Sequence, residues 1–145
     1  IRYGVKRDLQ FVTMIPDYEV STKSAREVLP NNMSYAQAVY QMGRCAALAK
    51  AMEIGNAMIM KRACTDQMQE PYRKDLIPEY ADVNKLCEDA GMITMYISGS
   101  GSTMIALTQE ETDAGVLAET IKKRYPTWDV RILKATYDGV QSEVC

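Results

Sequence analysis

The apolar positions of this chain fall into short strand-like runs divided by longer stretches of helical spacing. "LQFVTMI", Leu9 to Ile15, is rich in β-formers and stops at Pro16, which predicts a strand. "DYEVSTKSAREVLP" follows as a loop with a short helix near Ser24 to Val28, ended by Pro30. "SYAQ", starting at Ser34, has the S-x-x-Q form of a capping box. Behind it, Tyr35, Ala38, Val39, Met42, Cys45, Ala46, Ala49 and Met52 recur at helical spacing until Gly55 breaks the run. A second helix is predicted over roughly Asn56 to Met68, then an irregular connector over "QEPYRKDLIP". A third helix runs from about Glu79 to Ala90, with Gly91 as its C-terminal cap. "MITMYI" and "TMIAL" read as two strands, close enough through "SGSG" to pair as a hairpin. Thr108 and Glu111 form another capping-box pattern, opening a helix to about Tyr125 before Pro126. "WDVRILKAT" is the last strand; its alternation slips at Ile132 and Leu133, which predicts a bulge or burial on both faces there.

The order is strand, several helices, strand, strand, helix, strand. It predicts an α+β fold: a ferredoxin-like split βαβ antiparallel sheet, helices packed on one face, extra helices in the first crossover. A length of 145 residues suits a single domain, 1–145, with a real core. There are no repeats, low-complexity tracts or flexible linkers. The ten methionines are scattered and read as core filler.

Composition narrows the chemistry. Net charge is −2, with 17 basic and 19 acidic residues, which leaves no footprint for nucleic acid. No apolar run approaches the roughly 20 residues that cross a bilayer, so no membrane partner is expected. The four cysteines, Cys45, Cys64, Cys87 and Cys145, form no C-x-x-C pair. Three of them sit in helical, apolar patterns as small core residues, which favours a reducing cytoplasm. Histidine is absent, so any chemistry must use carboxylates, arginines, lysines, hydroxyls or backbone. The chain opens at Ile1 and soon enters a strand pattern, which reads as a piece of a longer protein.

Two features are candidates for function. "ISGSGST", 97 to 103, is either a plain hairpin turn or a loop whose N–H groups could gather on an anion. Arg26, in "STKSAREVLP", and Arg73, in "DQMQEPYRKDLIP", each lie beside a proline-bounded segment. A guanidinium fork matches a carboxylate or phosphate. From pattern alone the two arginines read as solvated surface cations. Asp66, near a helix end, and Asp75, in a connector, read as structural rather than catalytic.

Four blocks in register change that balance. "MIPDYEVSTKSAREVLP", "SYAQAVYQMGRCAALAKAM", "DQMQEPYRKDLIPEY" and "ISGSGSTMIAL" together resemble the C-terminal half of the homoserine kinase family. That family sits in the superfamily of galactokinase, homoserine, mevalonate and phosphomevalonate kinases. The resemblance covers nearly the whole chain. It implies transfer of the γ-phosphoryl of ATP, with Mg2+, to the hydroxyl of L-homoserine, in threonine synthesis. It implies that Arg26 and Arg73 help hold the amino acid. It also implies that Ser98, Gly99, Ser100, Gly101 and Ser102 line the site beside the phosphates. The main ATP loop of that family, like "P-x-x-x-G-L-G-S-S-A", belongs to an N-terminal domain and is not found here. The resemblance therefore implies the protein's own N-terminal domain as partner, ATP and Mg2+ held mainly there, and an inactive fragment without it. A homodimer is compatible with it. Two departures stand out: Gln69 where many relatives carry histidine, and Ser102 where many carry proline. The serine leaves the loop freer and adds an N–H. Two other readings stay open: a stand-alone amino-acid-binding regulatory domain, and a kinase of the same superfamily acting on another small alcohol.

Overall fold

β-branched and aromatic residues ahead of Pro16 set the first strand, and β1 spans Leu9–Ile15 as the pattern predicts. The computed structural model describes residues 3–110 and 112–138. After β1 come α1 (Thr22–Glu27), α2 (Tyr35–Ile54), α3 (Ala57–Ala63), α4 (Glu70–Arg73) and a 3-10 turn at Lys74–Leu76. Then follow α5 (Tyr80–Asp89), β2 (Thr94–Ile97), β3 (Met104–Gln109), α6 (Ala114–Arg124) and β4 (Asp129–Lys134). The strands form one antiparallel sheet in the order β2-β3-β1-β4. That is the expected split βαβ plan in an α+β fold.

Local chemistry explains the longest helix. The Ser34 hydroxyl accepts from the Gln37 N–H at 3.2 Å, and the Gln37 side chain accepts from the Ser34 N–H at 3.0 Å. Gly55 ends α2 in the left-handed conformation, φ 72°. Asn56 then caps α3. This helix stops at Ala63, short of the expected Met68. In place of an irregular connector, a turn of helix forms at Glu70–Arg73, with Pro71 in its first turn, where the missing N–H costs nothing.

The one-face plan holds for α5 and α6. Val12, Met14, Met104 and Ala106 of the sheet meet Val83 of α5 and Leu117 of α6 in the larger core. The extra helices of the first crossover go to the opposite face. Leu9 and Leu107 pack there with Ala51 of α2 and Met60 of α3. Each fully buried leucine, valine or methionine among them contributes about 1.5–3 kcal/mol. A 20-residue helix is far longer than these strands are wide, and only its C-terminal half meets the sheet. Tyr35, Val39 and Met42 therefore stay 87%, 49% and 64% exposed, although their spacing suggests a core stripe.

Three more expectations need correction. β4 pairs with β1 without a break from Gln10↔Lys134 to Ile15↔Asp129, so there is no bulge. Ile132 and Leu133 are exposed rather than doubly buried, because β4 is an edge strand and only its Val130 lies in the core. Thr108 belongs to β3, and Asp113 caps α6 by accepting from the Gly115 N–H at 2.8 Å; Glu111 lies outside the described residues. Of the cysteines, Cys87 is buried, Cys64 half-buried and Cys45 exposed, while Cys145 lies outside the described residues. Burial pushes the Cys64 thiol up to about 11 and the Cys87 thiol up to about 12.

Helices α5 and α6 are tied at the surface. The Tyr125 hydroxyl donates to Asp82 at 2.5 Å and Arg124 Nε donates at 3.2 Å. The Tyr125 hydrogen bond, then Arg124, holds the Asp82 carboxyl below its ordinary value. A depressed carboxylate stabilises the fold above its unfolded pKa and loses that contribution as pH falls through the folded one. We expect wild type to exceed Asp82→Asn in stability at pH 6, with the gap closing below about pH 4. Urea unfolding across pH checks this; a gap that widens on acidification would contradict it.

Candidate functional site

A cavity of about 360 Å3 opens between α2, the segment from α3 to α4 and the β2–β3 side of the sheet. That volume lies within the roughly 300–1,000 Å3 of small-molecule sites. Gln41 and Arg44 of α2 form one wall, and Gln69, Glu70 and Arg73 form the other. Tyr96 and Leu107 form the apolar floor, and Gly99 closes one end.

The second wall is held by Asp66. Its carboxylate accepts from the backbone N–H of Met68, Gln69 and Glu70, at 2.7, 3.1 and 2.9 Å. It thereby satisfies the orphan donors at the start of α4, which bears out its structural reading. Asp75 is exposed on the 3-10 turn. Burial raises the Glu70 carboxyl, opposed by a hydrogen bond from the Tyr80 hydroxyl at 2.6 Å. Burial, and then this carboxylate partner, push the Tyr80 phenol well above its ordinary value, so it remains a donor.

Arg73 joins two parts of the site. Its Nε donates to the Ala25 carbonyl at 3.1 Å and its Nη1 to the Gly99 carbonyl at 2.8 Å. One side chain thus locks α1 to the glycine-serine loop. Arg26 is exposed on α1, next to the gripped carbonyl, and does not line the cavity. The two arginines singled out from sequence are neighbours, but only Arg73 reaches the cavity wall.

The loop between β2 and β3 is a tight turn. The Gly101 N–H donates to the Ser98 carbonyl at 3.0 Å, and the Ser98 N–H donates to Thr103 at 2.9 Å. Gly99 takes φ 59° and Gly101 φ 87°, conformations glycine adopts without strain. The Gly101 N–H is thus committed within the turn. No hydrogen bond within the described residues occupies the N–H groups of Gly99, Ser100 and Ser102. Ser102 does not loosen the loop, as its replacement of proline suggests it would. Its side chain is buried, and its hydroxyl donates to the Tyr18 carbonyl at 2.5 Å. The Tyr18 hydroxyl in turn donates to Glu79 at 2.6 Å, at the start of α5. Ser100, Gly101 and Ser102 line a second depression, against Asp17 and Tyr18. The turn therefore stands between two concave surfaces, with Gly99 on the Arg73 side.

Sequence reasoning marked Gln69 only as a departure from the family pattern and passed over Gln41 and Arg44 on the facing wall. Gln41 and Arg44 lie one to two turns before Leu48 on the face of α2 that lines the cavity. The signal available was a polar pair within a helical stripe, beside "PYR".

The chain belongs to the family described as GHMP kinases C terminal, which matches residues 38–127. Among curated relatives it is 32% identical to homoserine kinase of Clostridium botulinum over 95% of this chain and 47% of that protein. It is 34% identical to homoserine kinase of Caldicellulosiruptor saccharolyticus over 96% of this chain and 46% of that protein. The crystal structure of homoserine kinase from Cytophaga hutchinsonii superposes with a TM-score of 0.82 at 30% identity, covering 94% of this chain and 44% of that one. Phosphomevalonate kinase of Streptococcus pneumoniae, at 14% identity and a TM-score of 0.65, shares the fold. The chain spans about half the length of the curated relatives it matches.

Proposed function

We propose that this chain forms the substrate side of a homoserine kinase, which phosphorylates the hydroxyl of L-homoserine with ATP in threonine biosynthesis. The observation that carries this reading is the latch of Arg73 onto the Gly99 carbonyl at 2.8 Å, at the edge of a cavity sized for a small molecule. It sets a cation and a turn with unused N–H groups side by side. Phosphoryl transfer is mainly positioning and charge stabilisation, and both are within reach of this set without histidine. In this reading Arg73 holds the amino acid from the cavity wall, while Arg26, exposed on α1 and outside the cavity, takes no part in that contact. Ser98, Gly99, Ser100, Gly101 and Ser102 lie next to the transferring phosphoryl group.

ATP and its Mg2+ are held by an N-terminal domain of the whole protein. The described residues hold no group of three or more carboxylate or thiol ligands that could cage a metal ion. Among the described residues no helix is long and apolar enough to cross a membrane. Cys45, Cys64 and Cys87 are free thiols, which supports a reducing, cytoplasmic setting.

The test is direct. The full-length protein is expected to form O-phosphohomoserine from homoserine and ATP. The chain of 145 residues alone is expected to form none and to bind ATP only weakly in calorimetry. Micromolar ATP affinity for the isolated chain, or turnover of other small alcohols in preference to homoserine, would contradict the reading.

A further inference from the structure

The turn at 98–102 is tied on both sides. On the side away from the cavity the tie runs through one buried hydroxyl. Ser102 is 5% exposed and lines the second depression. Its hydroxyl donates to the Tyr18 carbonyl, in the connector between β1 and α1. A buried hydroxyl has one proton to donate, so the acceptor it finds fixes its direction. The connector is itself anchored. The Tyr18 hydroxyl donates to Glu79 at the start of α5. Burial, and then this bond, hold the Tyr18 phenol well above its ordinary value, so it stays a donor. Three residues on, Ser21 caps α1 by accepting from the Ser24 N–H at 3.0 Å. The segment from Tyr18 to Ala25 therefore meets the turn twice. Ala25 reaches Gly99 through Arg73, and Tyr18 reaches Ser102 directly.

Between these ties the turn has little room to shift. A Cβ at Gly101 would come within 3.0 Å of Cδ1 of Ile77, itself a buried core residue. The Gly101 N–H is spent inside the turn, while those of Gly99 and Ser100 are unused among the described residues. These two donors stand on a frame set by Arg73 at one end and Ser102 at the other. Donors fixed before charge develops stabilise it without reorganising as the reaction proceeds.

We infer that Ser102 is a positioning residue for phosphoryl transfer: its hydroxyl, held by the Tyr18 carbonyl, sets the direction of the Gly99 and Ser100 N–H groups. The inference rests on the homoserine kinase reading above. The hydroxyl is spent on Tyr18, so Ser102 acts through the turn and not by touching substrate. Such a residue changes kcat and leaves the binding of both substrates in the ground state alone.

The test uses the full-length enzyme with homoserine and ATP. Ser102→Ala should lower kcat about 10-fold, with KM for homoserine and for ATP each within about 2-fold. It removes one oxygen and adds no bulk, so the variant should fold, and unfolding curves refer kcat to folded enzyme. Ser102→Cys, similar in bulk but a poor donor, should stay close to alanine. Tyr18→Phe frees the connector from Glu79 and should lower kcat by a smaller factor, about 3-fold. Joined to Ser102→Ala it should add little, because both changes break one chain of contacts. Ser102→Ala with kcat within about 2-fold of wild type overturns the inference and leaves the kinase reading standing. So does a loss carried by KM at unchanged kcat, which makes the hydroxyl a ligand contact. Wild-type kcat in Ser102→Cys overturns it by making bulk the cause, and losses that multiply in the double variant overturn it by making the two sites independent. If wild type forms no O-phosphohomoserine, the kinase reading and this inference fall together.

Discussion

Gly99→Val in the full-length enzyme will cut kcat by about 10²-fold or more, the scale of losing a donor to developing charge. The structure says how. A Cβ at Gly99 would meet nothing within 4 Å, so crowding is not the cause. The backbone is: φ 59° costs an L-residue roughly 1–2 kcal/mol, and a β-branched one resists it further. Relief comes by turning the peptide planes, which redirects the N–H groups of Gly99 and Ser100. It also withdraws the carbonyl that holds Arg73. The effect should thus appear mainly in kcat, with a smaller rise in KM for homoserine. Stability should fall by no more than about 1–2 kcal/mol, because the valine displaces no core contact. Steady-state kinetics with a matched unfolding curve decide the matter. A folded variant with near-normal kcat would make the loop a plain turn.

Arg73→Ala carries the second large effect. Losing one partner of a desolvated charged contact costs about 2–5 kcal/mol. We therefore expect kcat/KM for homoserine to drop at least about 30-fold, with KM for ATP little changed. Two hydrogen bonds from a charged donor also disappear, and with them the tie between α1 and the turn. Charged hydrogen bonds contribute about 1.5–3 kcal/mol each when well sheltered. Arg73 is half-buried, so a modest fall in stability is expected beside the kinetic loss. Arg73→Lys should not rescue it, since one ammonium cannot span two carbonyls held by a planar fork. Normal homoserine kinetics in Arg73→Ala would return it to a surface role.

Where local chemistry alone decides, the chain was readable. Pro16 ends β1 where it must, and Ser34, Gln37 and Gly55 mark both ends of α2. The hairpin around 98–101 follows from two apolar runs and two glycines. Reading failed where packing decides. Tyr35, Val39 and Met42 keep perfect helical spacing, yet the sheet does not extend beneath them. Ile132 and Leu133 look doubly buried, but β4 is an edge and nothing among the described residues needs them inside. Thr108 offers a cap, but its place in β3 overrides it. The stretch "QEPYRKDLIP" looks irregular, yet Pro71 fits the first turn of α4, and that turn aims Arg73.

The site was legible in part for the same reason. Arg73 and Gly99 could be paired because each sits in a block that resembles one family. Arg44 could not, since its place depends on a Tyr40 contact and on how α2 crosses the sheet. Nor could the role of Ser102 be seen, since its partner Tyr18 lies 84 residues away in the chain.

We propose that homoserine binds in the cavity between α2 and α4, with its hydroxyl toward the turn at 98–102. A crystal structure of the full-length enzyme with L-homoserine and a non-hydrolysable ATP analogue tests it most directly. In that complex we expect the amino acid in this cavity against Arg73, with its hydroxyl beside Gly99 and Ser100. Homoserine bound elsewhere, with this cavity empty at saturating ligand, would contradict it.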